Sequence, residues 1–225
     1  MAAEDRKSAI VQAALPLFAR KGFGATTTKD LAKAAGVSEP LLYRHFPSKE
    51  ALYSEIQNFL CASTDPVVKR LSELEPSTST LVHLIYYLMR ALVLGKPAGT
   101  VEWNMRHRLM LNSLVEDGSF ARMLYQNRFE YFCARMESCL DAAIQRGEAV
   151  PSPLSKGNRA RFAHHVGAWI ASVHLPEKPA IEYQVSREAL LGQAVWFALR
   201  GMGITDSAIA TYFNPKALSL LFGEN

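Results

Sequence analysis

The sequence predicts an all-α protein, made of a small N-terminal three-helix unit and a larger helical domain. Three observations carry this. Apolar residues recur at helical spacing along almost the whole chain, with no convincing alternating strand run. Turn chemistry punctuates that pattern at Gly36, Pro47, Gly95-Lys96-Pro97, Asp117-Gly118, Gly147 to Gly157 and Pro176 to Pro179. A length of 225 residues, at roughly 150 per domain, allows one or two domains.

The elements follow in order. A first helix is expected from Glu4 to Lys21, with Ile10, Ala14 and Phe18 on one face and Val11 and Leu15 beside them. Pro16 should kink it or distort its last turns, and Gly22 suits a left-handed stop. Thr27-x-x-Asp30 has capping-box spacing and starts a helix to about Ala35. Gly36 turns the chain at positive φ. Ser38 caps the next helix with Pro40 in its first turn, and Pro47 ends it near His45. Ser48 caps a fourth helix, with Glu50 favourable in its first turn. Longer helices are expected over 48–63, 66–74, 78–94, 100–115, 119–146, 157–174, 186–201, 205–212 and 214–222. The domain boundary falls near residue 50, inside the fourth helix. This gives domains 1–50 and 51–225 with rigid coupling between them.

Composition narrows the function class. Hydrophobic residues are 49% and charged residues 20% of the chain, which is globular and argues against disorder. Three cysteines without a Cys-x-x-Cys exclude a disulfide scaffold and disfavour structural zinc. Cys133 and Cys139 read as buried thiols. Six histidines include no His-Glu-x-x-His, and adjacent His164 and His165 point about 100° apart on a helix. No metal and no cofactor are expected. No nucleophile elbow or phosphate loop is present, so no catalytic residue is assigned and the chain is not read as an enzyme. The N-terminus lacks a signal-peptide core. Leu81 to Leu94 is too short and too polar to span a bilayer. A soluble cytoplasmic protein with no membrane partner is expected.

Charge is uneven. Residues 1–50 hold eight bases and five acids, a net of +3, whereas the other 175 residues net +1. A basic head on a neutral body marks where an anionic partner would sit. Residues 28–45 form a helix, a glycine turn and a short helix, the helix-turn-helix plan whose second helix enters the DNA major groove. Leu31, Ala35, Val37, Leu42 and Phe46 can face inward. Glu39 and Tyr43 then share the outward face, flanked by Pro40, Leu41, Arg44 and His45.

The stretch Gly22 to Leu52, GFGATTTKDLAKAAGVSEPLLYRHFPSKEAL, resembles the N-terminal domain of the TetR/AcrR family of bacterial transcriptional regulators. The blocks Ala35 to Ser38, Leu42 to Phe46 and Ser48 to Leu52 carry the resemblance, with residues 9–23 fitting as the first helix. About a fifth of the chain is covered. The resemblance implies an all-helical homodimer on double-stranded DNA, with a C-terminal effector-binding and dimerisation domain. By position it implies backbone-phosphate contacts from Thr27, Tyr43, His45 and Lys49. Residues at or near base edges would be Lys29, Glu39, Pro40 and Leu41, with Ser38 at the cap and Arg44 on the same helix. Family members are mostly repressors released by a small molecule.

Read by themselves, several of these residues have two meanings. Glu39 could accept from a cytosine N4 amine, penalise wrong sites, or serve the helix dipole. Pro40 and Leu41 suit thymine methyls. Arg44 could reach a base or a phosphate. Tyr43 could be a core aromatic, His45 a dipole partner and Lys49 a solvated lysine. If a dimer neutralises about six phosphates, log affinity falls against log salt with a slope of roughly −5, or near a thousand-fold from 50 to 200 mM.

The remainder holds candidates of two kinds. Tyr86, Trp103, Arg106, Phe132, Met136, His165 and Trp169 could line a cavity for a mostly apolar effector, or be plain core. Trp169, Leu190, Leu191, Ala194, Val195, Phe197 and Ala198, on the 157–174 and 186–201 helices, could build a four-helix dimer interface. The function expected is a ligand-responsive regulator, a repressor, that binds a (pseudo)palindromic operator as a dimer. A DNA-binding regulator without small-molecule input, activators included, is the alternative. A helical enzyme or interaction module is the remaining one.

Overall fold

The structure is a computed structural model that describes residues 3–62, 66–95 and 100–222. Lys96 and Pro97 of the expected turn, and residue 63 of the expected fourth helix, lie outside them. Among the described residues the regular structure is helical apart from a single antiparallel bridge, Ala149 to Ile204. By compactness the chain divides into two units. One joins Met1–Thr64 to Val101–Arg128, and the other joins Asp65–Thr100 to Phe129–Asn225. The expected boundary at residue 50 falls in the first turn of the fourth helix, and residues 101–128 cluster with the N-terminal helices.

The first unit contains α1 (Ala3–Ala25), α2 (Thr28–Ala34), α3 (Glu39–His45), α4 (Lys49–Ala62), α7 (Thr100–Val115) and α8 (Ser119–Leu124). Its core is the apolar stripe of α1 (Ile10, Val11, Ala14, Leu15, Phe18) closed by Leu31, Leu42, Phe46, Leu52 and Ile56. Leu109 of α7 and Phe120 of α8 complete it. Pro16 lies inside α1 with helical backbone angles, and the distortion falls in the last turn. The non-helical residue of α1 is Gly22, at φ 74° and ψ 174°. Only glycine holds that pair without strain, so the break falls where a Cβ is missing rather than where a ring replaces an N–H. Gly36 takes φ 63° between α2 and α3, as its turn position requires.

The second unit contains α5 (Pro66–Glu73), α6 (Thr78–Val93), α9 (Glu130–Gln145), α10 (Lys156–Val173), α11 (Arg187–Gly201), α12 (Asp206–Tyr212) and α13 (Pro215–Leu221). α6 is apolar around most of its circumference because α9, α10, α11 and α12 all pack on it. α10 comes close where Gly167 faces it; a Cβ there would lie 2.7 Å from Leu92 Cδ1 and 2.9 Å from Met89 Sδ. Buried Arg159 donates from Nη1 to the Met202 carbonyl at 2.9 Å, which ties α10 to the end of α11. Glu148 accepts from Thr78 and, at 3.0 Å, from the Tyr212 hydroxyl. These donors hold its carboxyl below the ordinary glutamate value.

One expected element is divided. The helix expected over 119–146 is split by a π turn at Tyr125–Phe129. An i→i+5 turn shifts the facing of everything after it. Apolar spacing on each side is still helical, so periodicity alone does not reveal the insertion.

Candidate nucleic-acid interface

Local chemistry builds the α2–α3 unit. Thr27 accepts from Asp30 N through its hydroxyl at 3.1 Å, and Asp30 Oδ2 accepts from Thr27 N at 3.4 Å, closing the capping box. Lys21 donates to the same Asp30 oxygen at 2.9 Å, and this ammonium with the Thr27 donors holds the carboxyl below its usual range. The Thr27 hydroxyl spends a lone pair on the cap, not its O–H. Ser38 Oγ accepts from Leu41 N at 3.3 Å and starts α3.

The facing of α3 follows from its seven residues. Leu42 is buried in the core, and Phe46 follows it inward. Tyr43 is 46% exposed, a large value for an aromatic ring in a folded unit. Pro40 and Arg44 are exposed, while Glu39, Leu41 and His45 are partly so. Thr27, Lys29 and Ser38 are exposed on the neighbouring segments. On α3 the accessible side thus carries Tyr43 and Arg44, with Leu42 turned the other way.

Two of these side chains are already engaged. Lys49 Nζ donates to the Phe23 carbonyl at 3.0 Å and to the Thr26 carbonyl at 3.1 Å, and lies 4.2 Å from the centre of the Phe23 ring. An ammonium has three N–H donors, so two of them clip α4 to the α1–α2 turn. Glu39 Oε2 accepts from Thr28 Oγ1 at 2.9 Å, linking the first residue of α3 to the first residue of α2. No sequence rule pairs Lys49 with Phe23 or Glu39 with Thr28, since both contacts depend on how the helices cross. Asn112 of α7 and Glu116 just after it, beside the end of α1, escaped sequence reading for the same reason.

The sequence profile described as "Bacterial regulatory proteins, tetR family" matches residues 10–56, which span the helices just described. The N-terminal helices carry a tetR-family domain. The chain is similar to the nucleoid occlusion factor SlmA of Aliivibrio fischeri, 36% identical over 110 residues. That match takes in 48% of this chain and 56% of SlmA, so the chain spans little more than half of that relative. The HTH-type transcriptional regulator EthR of Mycolicibacterium smegmatis is 42% identical over 67 residues, 30% of this chain and 28% of EthR. Among solved structures, AibR in complex with isovaleryl coenzyme A and operator DNA has a TM-score of 0.61 at 17% identity. The likeness covers 85% of this chain and 97% of AibR, and at that identity it shows the fold alone. Among the described residues no helix is long and apolar enough to cross a membrane.

The expected effector residues are scattered. Tyr86, Phe132 and Met136 are buried on α6 and α9. Tyr86 stacks on Phe222, with centroids 5.6 Å apart. Trp103 and Arg106 belong to α7, where the guanidinium lies 4.7 Å from the indole ring of its own helical neighbour. His165 and Trp169 are exposed on the outer face of α10, Trp169 at 64%. These two point away from the core that holds Phe132 and Met136, so they do not line a cavity with them. Helical spacing alone does not say which face of α10 the core uses.

The expected interface residues divide in the same way. Leu190, Leu191, Ala194, Val195 and Ala198 are buried in the chain's own core, on the face of α11 that meets its neighbours. They are not available to a partner. Phe197 is 60% exposed at the edge of that face, with Trp196 at 48% beside it. Trp169 and Phe162 are likewise exposed, on α10, which packs on α11.

Proposed function

We propose that this chain is a tetR-family transcriptional repressor that binds a (pseudo)palindromic operator as a homodimer and is released by a small, mostly apolar effector. The observation that carries the DNA reading is the display of α3. Glu39, Pro40, Tyr43 and Arg44 lie on its accessible side, while Leu42 anchors the other. A helix so presented can place base-reading side chains in a major groove, with Thr27, Tyr43, His45 and the remaining Lys49 donor toward phosphates.

The dimer reading rests on Phe162, Trp169, Trp196 and Phe197. They are four large rings exposed on two packed helices, apolar area that association would bury. A two-fold axis there would pack α10 and α11 against their copies as a four-helix interface. Two recognition helices would then address successive major grooves about 34–36 Å apart. The effector reading rests on the family. The AibR complex holds isovaleryl coenzyme A as well as operator DNA, and an effector here must bind the two states of this chain with different affinity.

The test is selection of DNA from a random pool by the full chain, followed by sequencing. Inverted half-sites are expected. Failure to enrich any sequence overturns the reading.

A further inference from the structure

We propose that Glu39 selects one base pair in each operator half-site, the one presenting a cytosine N4 amine, and that Thr28 is its positioning residue. This inference rests on the DNA-binding reading above. The two residues open α3 and α2, and the Thr28 hydroxyl donates to Glu39 Oε2 at 2.9 Å. Glu39 lies one helical turn before exposed Tyr43, on the accessible stripe of α3 rather than the Leu42 stripe.

The chemistry of the pair decides which base it fits. An ionised carboxylate only accepts hydrogen bonds. In the major groove guanine offers the acceptors N7 and O6, and thymine offers O4 and a methyl; both repel or waste a carboxylate. Adenine offers a donor at N6 with the N7 acceptor beside it, which suits an amide. Cytosine offers the N4 donor, the pairing that a carboxylate makes. The Thr28 bond occupies Oε2 and restricts the side chain, so Oε1 meets the base edge with less rotamer freedom to lose. A long, freely rotating glutamate would discriminate less, because ordering it costs rotamer entropy.

Two conservative substitutions separate the roles. Glu39→Gln keeps the shape but adds a donor, which matches adenine N6 and N7. Thr28→Val keeps the shape and removes the hydroxyl, leaving Glu39 in place but unheld. The experiment is the random-pool selection run in parallel on wild type, E39Q and T28V at one salt concentration. Wild type is expected to require cytosine at one position of each half-site by about ten- to a hundred-fold. E39Q is expected to change that position from cytosine to adenine. T28V is expected to keep cytosine with a preference weakened several-fold and no new base favoured.

Other positions of the enriched sites report that each variant is folded. The inference is overturned if E39Q enriches the wild-type base at every position. It is equally overturned if folded E39Q enriches nothing, since a residue that reads one base pair does not carry the affinity. A T28V preference equal to wild type removes Thr28 from the role. A wild-type chain that enriches no sequence overturns the DNA reading itself, and this inference with it.

Discussion

Asn112 on α7 donates from its Nδ2 to the Ala19 carbonyl of α1, 3.3 Å away. The bond lies one turn before the break at Gly22, where carbonyls lose regular helical partners. Beside it, Glu116 Oε1 would lie 3.1 Å from a Cβ built on Gly22. The end of α1 is thus held by α7 on one side and by Lys49 on the other, and Gly22 supplies the backbone conformation that both grips require. Gly22→Ala is expected to destabilise the first unit by about 1–3 kcal/mol, because φ 74° with ψ 174° is closed to a side chain. Asn112→Leu is expected to cost about 1 kcal/mol through the lost bond. Urea unfolding followed by circular dichroism measures both. An unchanged midpoint for Gly22→Ala would show that α1 breaks elsewhere.

Lys49 and Tyr43 should separate stability from DNA affinity. Lys49→Met leaves the Phe23 and Thr26 carbonyls without their ammonium, a loss of about 1–3 kcal/mol in the urea midpoint. Tyr43 is half exposed, so Tyr43→Phe should stay within about 0.5 kcal/mol of wild type in stability. Its operator affinity should nevertheless fall several-fold. A protein carrying Tyr43→Phe and Lys49→Ala that binds its operator as tightly as wild type, at matched salt, would remove both side chains from the interface.

What could be read from the sequence was local. Thr27, Ser38 and Ser48 accept from backbone N–H groups three residues on, as their spacing implies. Ser77, Ser155, Ser186 and Thr205 do the same at later helix starts, which lie within two residues of the expected ones. The turn glycine Gly36 was legible because positive φ is a property of one residue. Contacts made by helix crossing were not. Lys49 reaches back 26 residues to Phe23, Asn112 reaches 93 to Ala19, and neither leaves a mark in periodicity. The two faces of α11 are both apolar, so spacing could not say that Leu190 and Val195 turn inward while Trp196 and Phe197 turn outward. The same ambiguity placed His165 and Trp169 with buried Phe132.

His107 carries a pH dependence. It is buried on α7, and loss of hydration, with a contribution from the Arg106 charge, lowers its pKa from 6.5 to about 4. The unfolded chain takes up a proton near pH 6.5, whereas the folded chain resists until about pH 4. Stability supplied by neutral His107 is therefore complete above pH 6.5 and lost as pH falls toward 4. The slope in that window is at most one proton, about 1.4 kcal/mol per pH unit. His107→Gln should flatten this part of the curve, read as urea midpoints between pH 7 and pH 4.5. Identical slopes for the two proteins would exclude His107 as the group responsible.

The exposed rings of α10 and α11 can be tested against the buried residues of the same helix. Trp169→Asp with Phe197→Asp replaces two of these rings with carboxylates, and both positions are exposed within a single chain. Folding should survive, and association should not. Aromatic residues at the centre of an interface cost about 2 kcal/mol or more each when lost, so the dimer dissociation constant should rise at least about thirty-fold. Sedimentation equilibrium should then give a mass near 25.0 kDa in place of twice that value. Leu190→Ala is the contrasting change. It opens a cavity against α11's neighbours and should cost about 2–5 kcal/mol in stability, with little effect on association at pH and temperature where the chain stays folded. If the paired aspartates leave the mass doubled while Leu190→Ala separates the subunits, the interface lies on another face and Phe162, Trp169, Trp196 and Phe197 need a different partner.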